Sequence, residues 1–156
     1  MKDSLRTGVV FGLTSAIITT LGLMVGLHSG THSRIVVIGG ILTIAIADAF
    51  SDALGIHISE EAKGAGTAKQ VWGATIATFL TKFIFAMTFV VPVLIFSLST
   101  AIIVSLVWGL SILTILSYII AKAQGEPAWK IVGEHLLIAI IVIVITQRVG
   151  EWIATL

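Results

Sequence analysis

The feature that most constrains this chain is a run of 39 residues, Phe83 to Ala121, that contains no charged side chain. A helix needs roughly 20 apolar residues to cross a bilayer, so this run is long enough for two crossings. Only 11% of the 156 residues are charged, whereas soluble domains carry about 25%. The sequence therefore predicts an integral membrane protein with no room for a separate soluble domain.

Charge-poor runs along the whole chain predict an all-α fold with five transmembrane helices in a single membrane domain, residues 1–156. The predicted spans are residues 7–27, 35–57, 71–96, 101–121 and 129–152. Residues 97–100 are the expected break within the uncharged run, and Pro92 predicts a kink in the third span. The polar segment 59–70 is the longest predicted connection.

Lysine and arginine are unevenly distributed between the two ends of the predicted spans. One side has six of them: Lys2, Arg6, Lys63, Lys69, Lys122 and Lys130. The other side has two, Arg34 and Arg148. Because cytoplasmic loops are enriched in these residues, we expect a cytoplasmic N-terminus and an external or lumenal C-terminus.

Charge and composition also exclude several classes of function. The net charge of +1 offers no basic patch for nucleic acid, and the absence of cysteine excludes a disulfide framework or a thiolate metal site. The chain contains no P-loop, G-x-S-x-G or H-E-x-x-H motif. We therefore expect neither an enzyme nor a bound cofactor.

The first span has small or hydroxyl residues on one helix face, at spacings of three and four. They are Gly8, Gly12, Ser15, Thr19, Gly22 and Gly26. Such a stripe lets helix backbones approach closely in lipid, so the four glycines predict helix packing. The two hydroxyl residues either belong to the same packing surface or line a path for an ion.

The second span has two carboxylates, Asp48 and Asp52, on the face that also has Ser51. A carboxylate in the hydrocarbon core costs at least about 2.5–3.5 kcal/mol, and two at this spacing repel each other. At about 1.5 Å per residue, Asp48 and Lys82 both lie about 16 Å deep and Asp52 about 10 Å. We expect Lys82 to act as the counter-charge of Asp48. Asp52 then has no counter-charge of its own.

These carboxylates allow more than one interpretation. Together with serine and threonine hydroxyls they form an all-oxygen donor set, which suits divalent cations such as Mn²⁺, Mg²⁺, Ca²⁺ and, less selectively, Fe²⁺. A pair that holds a proton when empty would couple metal movement to proton movement. The alternatives are a purely structural Asp–Lys pair and a pathway for protons or monovalent cations.

Polar residues also gather where the second span ends. His57, Glu60 and Glu61 are candidates for a cytoplasmic entrance that attracts cations, or they are simply solvated. Glu134 and His135 stand near the start of the fifth span, and their roles stay open.

Two motifs resemble a known family. Residues 11–26 read FGLTSAIITTLGLMVG and are similar, without a gap, to the first helix of the vacuolar iron transporter family, roughly F-G-x-x-D-G-x-x-T-T-x-x-x-x-x-G. Residues 47–57 read ADAFSDALGIH and resemble the family's A-x-A-x-S-M-x-x-G-E-Y. The resemblance implies a homodimer with a metal path at its interface.

Departures from the family pattern change what the resemblance implies. The first-helix Asp of the family is Ser15 here, and its second-helix Met is Asp52. Such a site keeps a carboxylate and loses a soft sulfur, which favours Mn²⁺ or another hard cation over Fe²⁺. The acidic cytoplasmic domain that some members carry is reduced here to a short segment with Glu60 and Glu61.

Residues and resemblance together predict a homodimeric transporter in the lipid bilayer that exports Mn²⁺ or Fe²⁺ from the cytoplasm in exchange for protons. We expect its location to be the plasma membrane of a prokaryote.

Overall fold

A computed structural model describes residues 2–64 and 66–156, and every regular element within these ranges is a helix. The helices are α1 (Lys2–Thr31), α2 (Arg34–Ala62), α3 (Ala68–Thr88), α4 (Val90–Ile95), α5 (Leu98–Gln124) and α6 (Ala128–Ile153). Since α3 and α4 form one apolar segment, Ala68–Ile95, five segments are long and apolar enough to cross a membrane. The predictions of an all-α fold and of a multi-pass membrane protein are confirmed at this level.

The helices extend beyond the predicted spans at nearly every end. The α1 helix begins at Lys2 and ends at Thr31, and α2 continues through Glu60 and Glu61 to Ala62. The predicted connection 59–70 was therefore too long. Hydropathy marks the part of a helix that crosses hydrocarbon, whereas the backbone hydrogen bonds continue through polar residues at the membrane surface.

The break within the uncharged run lies slightly earlier than predicted. The α4 helix ends at Ile95 and α5 begins at Leu98, so the expected start of this span at residue 101 was wrong by three residues. The Ser97 and Thr100 hydroxyls lie 2.8 Å apart in the first turn of α5. The Arg34 guanidinium donates a 2.7 Å hydrogen bond to the Phe96 carbonyl and so ties this turn to the start of α2.

The boundary between α3 and α4 lies one turn before Pro92. Proline has no N–H to donate to the residue four positions earlier, here Thr88, and its ring crowds that carbonyl. The α3 helix ends at Thr88. The backbone N–H of Phe89, the next residue, donates to the Ala86 carbonyl, three positions earlier, at 3.1 Å. The predicted kink is thus observed as a break at Phe89.

The α1 helix is the most buried of the five segments and α6 the most exposed. A Cβ on Gly12 would lie 2.7 Å from the Thr78 carbonyl of α3, and a Cβ on Gly26 3.2 Å from the Thr146 carbonyl of α6. Gly8 faces α3 in the same way and Gly22 faces α6. The stripe on α1 therefore serves two interfaces, with its first half against α3 and its second half against α6.

Large apolar side chains cover the outside of the bundle. On α6 these include Ile138, Ile141 and Ile145, and on α5 Ile103 and Val107. A water-soluble protein does not expose so many large apolar residues together, so this surface fits a lipid environment.

Candidate functional site

Lys82 lies in the middle of the buried face of α3 and is 1% exposed. The other members of that face are uncharged: Val71, Ala74, Thr78 and Ala86. Lysine is almost never fully buried unless it is paired. Its position therefore requires partners on the neighbouring helices.

Three oxygen atoms from two other helices surround the Lys82 ammonium. Its Nζ lies 2.5 Å from Asp48 Oδ2 and 2.5 Å from Asp52 Oδ2, both on α2. It also donates a 2.8 Å hydrogen bond to Ser15 Oγ on α1. An ammonium has three N–H donors, so each has one acceptor. We call these four residues the Lys82 centre.

Small residues allow the three helices to meet at this centre. On α2, Ala45, Ala49 and Ala53 are buried at four-residue intervals, and the two aspartates repeat at the same interval beside them. On α1, a Cβ at Gly12 would lie 3.3 Å from the backbone nitrogen of Lys82. The close approach of α1 and α3 at Gly12 brings Ser15, one turn later, within reach of the ammonium.

The expected pairing of Lys82 with Asp48 is confirmed, but the expectation that Asp52 has no counter-charge was wrong. The two aspartates differ in depth by about one helical turn. They nevertheless lie on the same face of α2, and both of their Oδ2 atoms contact the Lys82 ammonium. Lys82 therefore bridges them. The arrangement also reduces the repulsion between the carboxylates, since the ammonium lies between them.

The Lys82 centre carries a formal charge of −1, from two carboxylates and one ammonium. Asp48 and Asp52 retain 31% and 18% of their side-chain exposure, whereas Lys82 is enclosed. The carboxylates are thus reachable from outside the bundle while the lysine approaches from inside. Chemically, the centre is a set of oxygen atoms that binds a cation. In this structure the bound cation is the Lys82 ammonium.

Two of the predicted auxiliary ligands, Thr19 and Ser51, are not hydrogen-bonded to the Lys82 ammonium. The Thr19 hydroxyl donates to the Ser15 carbonyl at 2.8 Å, so it supports the backbone of α1. Ser51 is exposed on the outer side of α2. Of the predicted pathway residues, Asp48, Asp52 and Ser15 come together around the Lys82 ammonium. Thr19 and Ser51 lie outside this group.

The predicted entrance residues lie in the last two turns of α2 and have separate partners. His57 Nδ1 lies 2.9 Å from the Thr75 hydroxyl of α3, and His57 Nε2 lies 3.4 Å from Glu61 Oε1. Glu60 instead forms an ion pair with Lys63. The two glutamates thus do not converge on one point.

A contact that sequence reasoning missed joins α5 to α6. His135 Nδ1 lies 2.8 Å from Ser117 Oγ, and Ser117 is fully buried. A pattern does mark Ser117, because the buried face of α5 repeats every four residues through Ser105, Gly109, Leu113, Ser117 and Ala121. This is the same kind of small-residue face as on α1.

Within residues 2–64 and 66–156, no three histidine, aspartate or glutamate side chains are placed to hold a metal ion together. A cation at the Lys82 centre would therefore have two carboxylates and hydroxyl or carbonyl oxygens as ligands. That set is typical of hard cations.

Comparisons with known proteins do not place this chain in a family. No protein-family model matches it, and no curated protein or solved structure matches it. The resemblance to the vacuolar iron transporter family therefore stays a prediction that depends on the two motifs of α1 and α2.

Proposed function

We propose that the protein is a proton-coupled cation transporter that exports a divalent metal ion, Mn²⁺ or Fe²⁺, from the cytoplasm. One observation carries the proposal: the Lys82 ammonium lies between two intramembrane carboxylates, where a transported cation would bind. Ionisable groups inside a membrane are by default candidates for a functional site. In this proposal Asp48 and Asp52 are the main ligands, Ser15 is an auxiliary one, and the transporter is a homodimer in a prokaryotic plasma membrane.

Charge balance supports an exchange between the metal and a proton. With Lys82 charged, the centre carries −1. When a dication binds both carboxylates and Lys82 leaves as a neutral amine, one proton is released and the centre carries no net charge. A lysine can serve in this way because its side chain has a neutral form, whereas an arginine stays charged in proteins.

The donor chemistry supports a hard metal ion as the substrate. Carboxylate and hydroxyl oxygens suit Mn²⁺, and Fe²⁺ less selectively. No methionine or cysteine is present at the centre to select a softer ion.

A structural role for the same residues is the second candidate, and the enclosure of Lys82 favours it. All three ammonium donors are satisfied, so the centre would act as a clamp that fixes α1, α2 and α3. In that case the charges matter for folding and not for transport.

Flux measurements in proteoliposomes separate the candidates. An internal dye quenched by Mn²⁺ reports metal entry, and a second dye reports internal pH. The proposal predicts Mn²⁺ flux with opposite proton movement, both abolished by Asp48→Asn with Asp52→Asn. Glu151→Gln is the matched control, because Glu151 pairs with Arg148 on α6.

Three results would argue against the proposal. Flux unchanged in the double variant would exclude these ligands, and a folded wild type without any flux would favour the structural clamp. Proton movement driven by Na⁺ and unaffected by Mn²⁺ would assign the centre to monovalent cations.

A further inference from the structure

A polar cavity of about 590 Å³ lies between α1, α5 and α6, and small-ligand sites are typically about 300–1,000 Å³. The Lys82 centre lies between α1, α2 and α3, so the two sites occupy different interfaces of α1. The cavity is located where α1 begins and α5 ends, which is the membrane-surface end of these helices.

Opposite charges line the outer end of this cavity. Asp3 and Arg6 both contribute to its wall, together with Gln124 at the end of α5. Among the ion pairs of the described residues, none involves Asp3 or Arg6. The cavity wall thus has a carboxylate and a guanidinium, which suit a ligand that carries a charge of each sign.

His135 lines the cavity at a deeper level than Asp3, because its partner Ser117 lies seven residues, about 10 Å, before Gln124 along α5. Ser117 Oγ donates its proton to the Leu113 carbonyl at 2.6 Å, so at the 2.8 Å contact with His135 it accepts from Nδ1–H.

Most of the inner part of the cavity is apolar. Val10, Phe11 and Ile120 line it, and Phe11 is 41% exposed on the outside of the bundle. Along α1 the lining residues extend from Asp3 to Thr14, which is about 16 Å of helix. A ligand that fits this wall has a charged group at the membrane surface and an apolar part that enters the hydrocarbon.

We propose that this cavity binds a phospholipid with an ethanolamine headgroup. The Arg6 guanidinium would bind the phosphate through paired N–H donors, and the Asp3 carboxylate would accept hydrogen bonds from the primary ammonium. A choline headgroup has no N–H to donate, and a glycerol headgroup has no positive charge. The apolar wall favours the intact lipid over soluble phosphoethanolamine.

Native mass spectrometry of the full-length protein in detergent tests this proposal. The delipidated protein is titrated with phosphatidylethanolamine, phosphatidylcholine, phosphatidylglycerol and free phosphoethanolamine. A lost hydrogen bond to a charged group corresponds to about a tenfold change in affinity. We expect at least that preference for phosphatidylethanolamine and about a tenfold loss in both Arg6→Gln and Asp3→Asn.

Arg148→Gln is the matched control, since this arginine lies near the other end of α6, and it is expected to leave lipid binding unchanged. Equal binding of phosphatidylcholine, or no effect of Asp3→Asn, would overturn the ammonium assignment. Equal binding of phosphatidylglycerol would assign the cavity to the phosphate alone, and equal binding of free phosphoethanolamine would overturn the lipid as the ligand. Because the cavity does not include the Lys82 centre, these outcomes do not depend on metal transport.

Discussion

The ammonium of Lys82 lies 2.5 Å from the carboxylate of Asp52, although the two residues are 30 positions apart in the chain. Lys82 approaches from the buried face of α3, whereas Asp52 keeps contact with the outside of the bundle. The same ammonium contacts Asp48. Any cation that replaces it can therefore reach the carboxylates without crossing the core between α1 and α3.

Lys82→Met is expected to destabilise the protein by about 3–5 kcal/mol, because it leaves two neighbouring carboxylates without their cation in a poorly solvated place. Replacing all three charges together, as Lys82→Met with Asp48→Asn and Asp52→Asn, should recover most of that loss. Thermal unfolding of the purified protein in detergent measures both variants. A single variant as stable as wild type would contradict the enclosed ion pairs.

Lys82→Arg separates the structural role from the proposed transport role. The guanidinium keeps the positive charge but does not release its proton in proteins. We expect this variant to fold and to lose Mn²⁺ flux and coupled proton movement. Flux at the wild-type rate would show that the side chain does not need to become neutral.

The close contact between α1 and α6 predicts different effects for two glycines of the same helix. A Cβ on Gly150 would lie 2.2 Å from the Gly26 carbonyl, whereas a Cβ on Gly133 would have no atom within 4 Å. Gly150→Ala should therefore cost about 1–3 kcal/mol through overpacking. Gly133→Ala should be neutral or stabilising by up to about 1 kcal/mol, since alanine favours helix.

Thermal unfolding of these two variants, side by side, measures the difference. Equal stability of the pair would mean that α1 and α6 are farther apart than the structure has them.

The sequence predicts the membrane spans well because hydropathy and the spacing of charges are local properties. Helix ends were missed because Glu60 and Glu61 continue α2 beyond the apolar run. The contact of Lys82 with Asp52 was missed because it depends on the rotation of α2 against α3, which spacing along one helix does not reveal. The Ser117–His135 contact likewise depends on the register between α5 and α6.

The distribution of lysine and arginine makes the topology testable. The chain contains no cysteine, so single cysteines need no prior removal of native thiols. A membrane-impermeant thiol reagent applied to intact cells should label Ser33→Cys and Ser97→Cys. It should label Lys69→Cys and Gln124→Cys only after the membrane is opened, and the reverse pattern would place the N-terminus outside.

The most direct test of the account is anomalous diffraction from crystals soaked in Mn²⁺. The proposal predicts an anomalous peak in contact with the Asp48 and Asp52 carboxylates, and a Lys82 side chain that has moved away from both. Lys82 still bridging the two carboxylates, with no peak at the centre at a Mn²⁺ concentration that saturates flux, would contradict it.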